Sequence, residues 1–208
     1  MKTLASLTAL SLVAAASNAA ITGNTGMTTY LATPPVNAQQ FALTGITAYC
    51  WNEQTNVNSS ATVVNLTAPG TYTGPGANVG VVSGLFESHF IHFDPSPTPG
   101  GVGGSVSFSA AIRAVIYDEN LLTISDGPFG AGGTTYATGN PFRSTNGNAL
   151  GGNVITFAGN TINFQLGVFP GQLNRMVEIR VLTDVVPTPG TGALALAGTL
   201  LAARRRRA

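Results

Sequence analysis

Two histidines, His89 and His92, stand in the stretch Ser88-His-Phe-Ile-His-Phe-Asp94, and metal binding or proton transfer is the first chemistry they suggest. The stretch is aromatic and apolar like a strand, on which residues three apart point to opposite faces. The two imidazoles then cannot share one ion, as a pair at i, i+4 on a helix would. Ser88 and His89 face apart for the same reason, which removes a local nucleophile and base. Asp94, Asp118, Glu119 and Asp126 are candidate Ca²⁺ ligands, because that ion takes about six to eight oxygens and loops can add carbonyls. Their spacing matches neither an EF-hand nor a glycine-aspartate nonapeptide, so solvated turn acids are the plainer reading, with Asp126-Gly127 as a turn. A glycan hydrolase would need two carboxylates about 5–10 Å apart, drawn from Glu87, Asp94, Asp118 or Glu119 on a concave face.

Gly100-Gly-Val-Gly-Gly104 leads toward a strand with Val106 where a third fingerprint glycine would stand, so it reads as a flexible loop and not a dinucleotide site. Cys50 is the single cysteine, so no disulfide can form within the chain; between Tyr49 and Trp51 it reads as a small buried hydrophobe. No cofactor is called for. Trp51, Tyr72, Tyr117, Tyr136 and Phe142 could stack on sugar rings through their amphipathic faces. Trp51 adjoins a strand and is expected in the core, which leaves Tyr136 and Phe142, in a long loop, as the ligand-binding candidates.

These groups must be positioned by strands. Thr161–Val168 alternates cleanly, and Val154–Ala158 precedes it across Gly159-Asn160, a two-residue hairpin signal of type I′ or II′. Arg175–Thr183 alternates again, with Val177, Ile179 and Val181 inward and Glu178 and Arg180 on the outer face. Further strands are expected at Thr28–Ala32, Thr44–Trp51, Ala61–Thr67, Asn78–Val82, Glu87–Phe93, Gly104–Ser109 and Ile112–Tyr117, with long loops over Asp94–Gly103 and Asn120–Asn153. No stretch of ten residues between Ile21 and Val185 shows a helical period. Short strands about a dozen residues apart, with Gly, Pro and Asn between them, predict an all-β fold: one antiparallel two-sheet sandwich of jelly-roll type.

Composition bounds the partners. The 208 residues carry a formal charge of +1, but five of the nine basic residues are Lys2 and Arg204–Arg207. From Ala20 to Asp184 four arginines face eight acids, which excludes a basic nucleic-acid face. Charged residues make up 8% against roughly 25% in an average soluble domain, leaving a surface of Ser, Thr, Asn, Gln and Gly suited to life outside the cytoplasm.

The two ends read as addresses. Met1-Lys2-Thr3, the apolar run Leu4–Ala16 and Ser17-Asn18-Ala19 form an n-region, an h-region and a small-x-small cleavage site, so residues 1–19 are expected to be a signal peptide handled by the Sec translocon and signal peptidase. Lys2, the single lysine, leaves with it, and no Schiff-base lysine remains. At the other end, residues 186–208 hold Val186-Pro187-Thr188-Pro189, an apolar run to Ala203, and Arg204, Arg205, Arg206 and Arg207. The prolines favour extended backbone that a protease can reach. Gly190–Ala203, as a helix, would rise about 21 Å, short of the roughly 30 Å hydrocarbon core, and the arginines would hold its end in the cytoplasm.

The order Val-Pro-x-Pro, short apolar helix and arginine cluster resembles the PEP-CTERM sorting signal recognised by exosortases. Thr188 stands where that family usually has Glu, a variant that belongs to it. A sortase signal would need Leu-Pro-x-Thr-Gly, which is missing, and the comparable myxobacterial signal a Cys, whereas the single cysteine is Cys50. The resemblance covers Val186–Arg207 and implies export by a Gram-negative bacterium that makes exopolysaccharide, transient anchoring in the inner membrane, cleavage near the proline motif, and release or attachment at the envelope. The expectation is therefore a surface or matrix-associated protein without enzymatic activity, residues 20–185 forming its body, with a carbohydrate-binding module and a secreted glycan hydrolase as the alternatives.

Overall fold

The alternation of Thr161–Val168 is realised position by position: Ile162, Phe164 and Leu166 are buried, Asn163 and Gln165 exposed. Extended backbone turns successive side chains to opposite faces, so one strand can wall a core and meet water at once. Val154–Ala158 pairs with it antiparallel from Ala158↔Thr161, and Gly159 closes the turn at φ +57°, a region glycine enters without steric cost.

The computed structural model describes residues 20–73, 79–139, 143, 152–168 and 175–186. In chain order they contain β1 (Ile21–Gly26), β2 (Thr28–Tyr30), β3 (Asn37–Ala38), β4 (Ala48–Asn52), β5 (Val57–Val64), β6 (Gly70–Thr73), β7 (Gly80–Phe93), β8 (Gly100–Phe108), β9 (Ile112–Ile116), α1 (Glu119–Phe129), β10 (Thr135–Tyr136), β11 (Val154–Ala158), β12 (Thr161–Val168) and β13 (Val177–Asp184). All lie within one compact unit, Asn18–Val185.

Two sheets dominate. Sheet A runs β1-β8-β12-β11-β6 and is antiparallel throughout. Sheet B runs β2-β4-β7-β13-β9, with β2 and β4 parallel and the other neighbours antiparallel. β7 is long enough to serve two partners along one edge: β4 pairs with its second half, from His89 to His92, and β5 with its first, from Gly80 to Phe86. Between the sheets lies the main core, with Val106, Phe108, Ile155, Phe157, Ile162 and Phe164 from sheet A meeting Cys50, Ile91, Phe93, Val177, Ile179 and Val181 from sheet B. Burial of each large side chain contributes about 1.5–3 kcal/mol.

The fold is thus mostly β, with two packed sheets, as expected, but sheet B is covered on its other face too. Trp51, Phe86, Phe90, Ala114, Ile116 and Leu182 point away from sheet A into a second core closed by Leu122 and Phe129 of α1, Ala38 of β3 and Tyr136 of β10. The helix corrects the expectation that none exists and that Asn120 opens a loop. Asp118 caps it, its carboxylate accepting from the backbone N–H of Asn120 and Leu121, and Leu122, Ser125 and Phe129 form its buried stripe. Asp126-Gly127 lies inside the helix and is not a turn. Gly127 and Pro128 obscure the period in the sequence; Pro128, having no N–H, cannot donate to the Ile124 carbonyl, and the helix ends one residue later at Phe129.

Two further corrections concern strands. Gly100–Gly104 is the first half of β8 and not a flexible loop, because pairing with Phe164–Val168 of β12 supplies the order that glycine cannot. The strands expected at Asn78–Val82 and Glu87–Phe93 are one: Gly80–Phe93 runs unbroken as the 14-residue β7, and Asn78 lies outside the described residues.

Candidate functional site

The sandwich and helix layers sort the candidates. On β7 the odd positions face sheet A and the even ones face α1, so His89 and His92 lie on opposite sides of sheet B. His89 sits against the Phe108 ring, 4.6 Å between centroids. Asn52 Oδ1, an acceptor, lies 2.8 Å from its Nδ1, so that nitrogen donates; Nε2 is left to accept from the Thr183 hydroxyl at 3.1 Å. Both nitrogens of a neutral ring are satisfied, and burial pushes the imidazole pKa down to about 3.

His92 belongs to a different group, assembled by β4, β7, β13 and α1. Its Nδ1 lies 2.9 Å from Glu178 Oε1. Arg143 donates to the other oxygen of Glu178 and, at 2.7 and 3.3 Å, to both oxygens of Asp126 on α1. Arg180 forms a two-pronged pair with Glu53 at 2.7 and 2.9 Å, donates to Asp126 Oδ1 at 3.0 Å and to the Ser125 hydroxyl, and lies over the Phe90 ring at 4.9 Å. Glu53 also accepts from the hydroxyls of Ser88 and Tyr136. Two guanidinium groups and three carboxylates are thereby enclosed, the side chains of both arginines, Glu53 and Glu178 having no exposure at all.

Each charge is held by its neighbours. Burial would drive Glu178 toward the neutral form, but Arg143 foremost, and then His92, hold its pKa below the usual carboxylate value. Burial would likewise discharge Arg180, and Glu53 above all keeps it charged. Arg143 is kept charged by Glu178 and Asp126 against the same burial. Chemically the group is a closed ion network whose ionised atoms are aimed at one another; it ties α1 and Arg143 to sheet B.

Glu178 and Arg180 do share the face turned away from sheet A, as their alternation requires, but that face is inside the protein. Asp126 is a network member. Asp94 is buried beyond the end of β7, accepting from the backbone N–H of Phe41 at 2.6 Å and Ser96 at 3.0 Å. Asp118 is the helix cap and Glu119 its first residue. The four acids thus serve separate local purposes, and among the described residues no group of three or more His, Cys, Asp or Glu side chains is arranged to hold a metal ion. Tyr136 is corrected as a sugar-stacking residue: it is buried, its ring meets Phe90 edge-on at 5.3 Å, and burial followed by the neighbouring Glu53 carboxylate pushes its hydroxyl pKa upward. Phe142, Pro187, Thr188, Pro189 and Arg204–Arg207 lie outside the described residues. Trp51 and Cys50 are in the core as expected, and burial pushes the Cys50 thiol up to about 12.

Several grooves among the described residues open to solvent; a shallow one of about 410 Å³ lies against Gly100, Gly101, Gly152 and Gly167, and two others stand nearer the candidates. One, of about 300 Å³, runs between β5 and α1 and is lined mainly by apolar groups, among them Val63, Ile124, Pro128 and Phe129. The other, of about 370 Å³, lies on sheet A against Gly103, Thr156, Asn163 and Gln165. Sequence reasoning missed the second because its residues carry no reactive group. No protein-family model, curated protein or solved structure matches the chain.

Proposed function

We propose that the chain is an exported protein of the bacterial cell surface or extracellular matrix, sorted by an exosortase, whose body acts without enzymatic turnover. One observation carries this reading: the run Val186-Pro-Thr-Pro189, apolar segment and Arg204–Arg207 begins two residues after β13 ends at Asp184, directly behind the compact unit. A sorting signal must be reachable by membrane enzymes while the body folds on the far side, and this order meets both needs. The body adds support, since Glu53, Asp126, Glu178, Arg143 and Arg180 are engaged with one another and His89 with neutral partners. The strand path, which passes between the sheets at β5–β6, β6–β7, β7–β8 and β8–β9, supports a jelly-roll-like winding.

The test is intact mass of the protein recovered from the envelope and medium of its native host. The expected species begins near Ala20 and ends near the proline motif. A dominant species that still carries Leu200-Leu201 and the four arginines would mean a permanent tail anchor, and the exosortase reading would be wrong.

A further inference from the structure

Charge is segregated between the two sheets. The five strands of sheet A contain no Asp, Glu, Lys, Arg or His, whereas β7, β9 and β13 of sheet B hold Glu87, His89, His92, Arg113, Glu178, Arg180 and Asp184. The outer face of sheet A is nonetheless polar. Cross-strand register sets Thr25, Ser105, Asn163, Thr156 and Thr71 in one rank across all five strands. Their hydroxyls pair across neighbouring strands, Thr25 with Ser105 at 2.8 Å and Thr156 with Thr71 at 3.0 Å; two residues along, Ser107 meets Thr161 at 3.0 Å. The amides of Asn163 and Gln165 stand beside these pairs, and neither is bonded to another side chain among the described residues.

The groove beside those amides is kept open by missing side chains. A Cβ placed on Gly103 would meet nothing closer than the Phe164 carbonyl at 3.8 Å and Gln165 Cγ at 3.9 Å, and one on Gly101 would meet the Leu166 carbonyl at 3.5 Å. These are ordinary contacts. At Gly104, on the inner face, a Cβ would fall 2.5 Å from Thr28 Cγ2 and 2.7 Å from the Thr25 carbonyl, so packing demands that glycine. Packing makes no such demand at Gly103, although a glycine within a strand weakens it. Its effect is to lower the floor next to Gln165.

We propose that the outer face of sheet A, centred on the groove between Gly103, Asn163 and Gln165, binds a neutral polysaccharide chain. Hydroxyl and amide groups both donate and accept, which matches the mixed donors and acceptors of sugar hydroxyls. A face without ionic groups offers nothing to an acidic polymer, a phosphate or a charged lipid surface, whose binding rests on countercharge. A sheet supplies a broad, open platform with strands about 4.8 Å apart, suited to an extended chain and not to an enclosed small molecule. Binding here is independent of the sorting proposal and holds whether or not the tail is removed.

The test is affinity gel electrophoresis of the protein recovered from its own host, in gels holding dextran, galactomannan or hydroxyethylcellulose, with alginate as the acidic comparison. Retardation by at least one neutral polymer is expected, and it persists in about 0.5 M salt, where ionic contacts are screened. The double variant Asn163→Ala with Gln165→Ala, and separately Gly103→Val, each weaken retardation about tenfold or more, the worth of one or two hydrogen bonds. Both keep the parent's melting temperature, since neither touches the core. Should either melt about 10 °C lower or more, Thr156→Ala replaces it and is read the same way. Unchanged mobility in every neutral polymer, equal retardation of parent and variants, or retardation by alginate alone that vanishes in salt each overturn the proposal.

Discussion

At the scale of single residues, burial has converted most of the reactive inventory into structure. His89 is neutral in the folded state with its pKa lowered from 6.5 to about 3, so the unfolded chain takes up a proton first as pH falls. Stability is therefore full above pH 6.5 and is lost below it, by roughly 1.4 kcal/mol per pH unit until the folded ring titrates. Glu178, held below its ordinary 4.5, adds a second loss beginning there and continuing downward. His89→Gln, which keeps a donor and an acceptor, flattens the decline in melting temperature between pH 6.5 and 4.5, and a variant with the parent's slope would refute the assignment. The ion network makes a sharper demand. Glu53→Gln leaves the buried Arg180 short of its principal countercharge, which costs about 3–5 kcal/mol, or a melting point lower by about 10 °C. A drop under about 3 °C would show that the pair contributes little. Glu178 and Arg180 were legible as residues of one strand face, but period-2 alternation says only which face is shared, not whether water or a helix covers it. The better signal was Phe90-Ile91 together with Trp51 and Phe86: large apolar groups on both faces of sheet B mark a sheet enclosed on both sides.

At the scale of elements, what the sequence reveals depends on how local the determining interactions are. The β11–β12 hairpin was readable because its turn and its alternation are both local. β8 begins four residues before its apolar alternation does, since Gly100–Gly103 owe their order to β12, some sixty residues further along the chain. The Asp118 cap and the spacing of Leu122, Ser125 and Phe129 announce α1, and Gly127-Pro128 conceals it. Asp118→Ala removes the acceptor for two backbone donors in the first helical turn and costs about 0.5–2 kcal/mol. Hydrogen exchange localises that loss: the amides of Asn120 to Leu122 exchange faster, while those of β12, in the other sheet, keep the protection they have in the parent once the global change is subtracted. Uniform acceleration across both sheets would mean that α1 does not open as a unit.

For the whole molecule, hydrophobic packing between the sheets and beneath α1 carries the stability, with a buried thiol pushed up to about 12 and Asp94, Asp118 and Asp126 engaged locally. Melting temperatures in buffer, chelator and reductant therefore agree within about 2 °C; a fall of roughly 10 °C in chelator would reassign those acids to a cation. The tail follows β13, a strand flanked on both sides within sheet B. A central strand cannot be withdrawn without breaking two ladders, so the proposed sorting requires cleavage beyond it, near Pro187 and Pro189, residues that disfavour helix. Under the same proposal the apolar run, about 21 Å were it helical against a hydrocarbon core of about 30 Å, serves a pause and not a permanent anchor, and the arginines fix its direction. Replacing Arg204–Arg207 by Ser lets the run slip outward and leaves uncut protein in the medium. Pro187→Ala with Pro189→Ala keeps the chain in the membrane fraction but uncut, because helix can then extend into the cleavage site. Intact mass and fractionation separate the two outcomes, and normal cleavage in both variants would detach the proline motif and the arginines from sorting altogether.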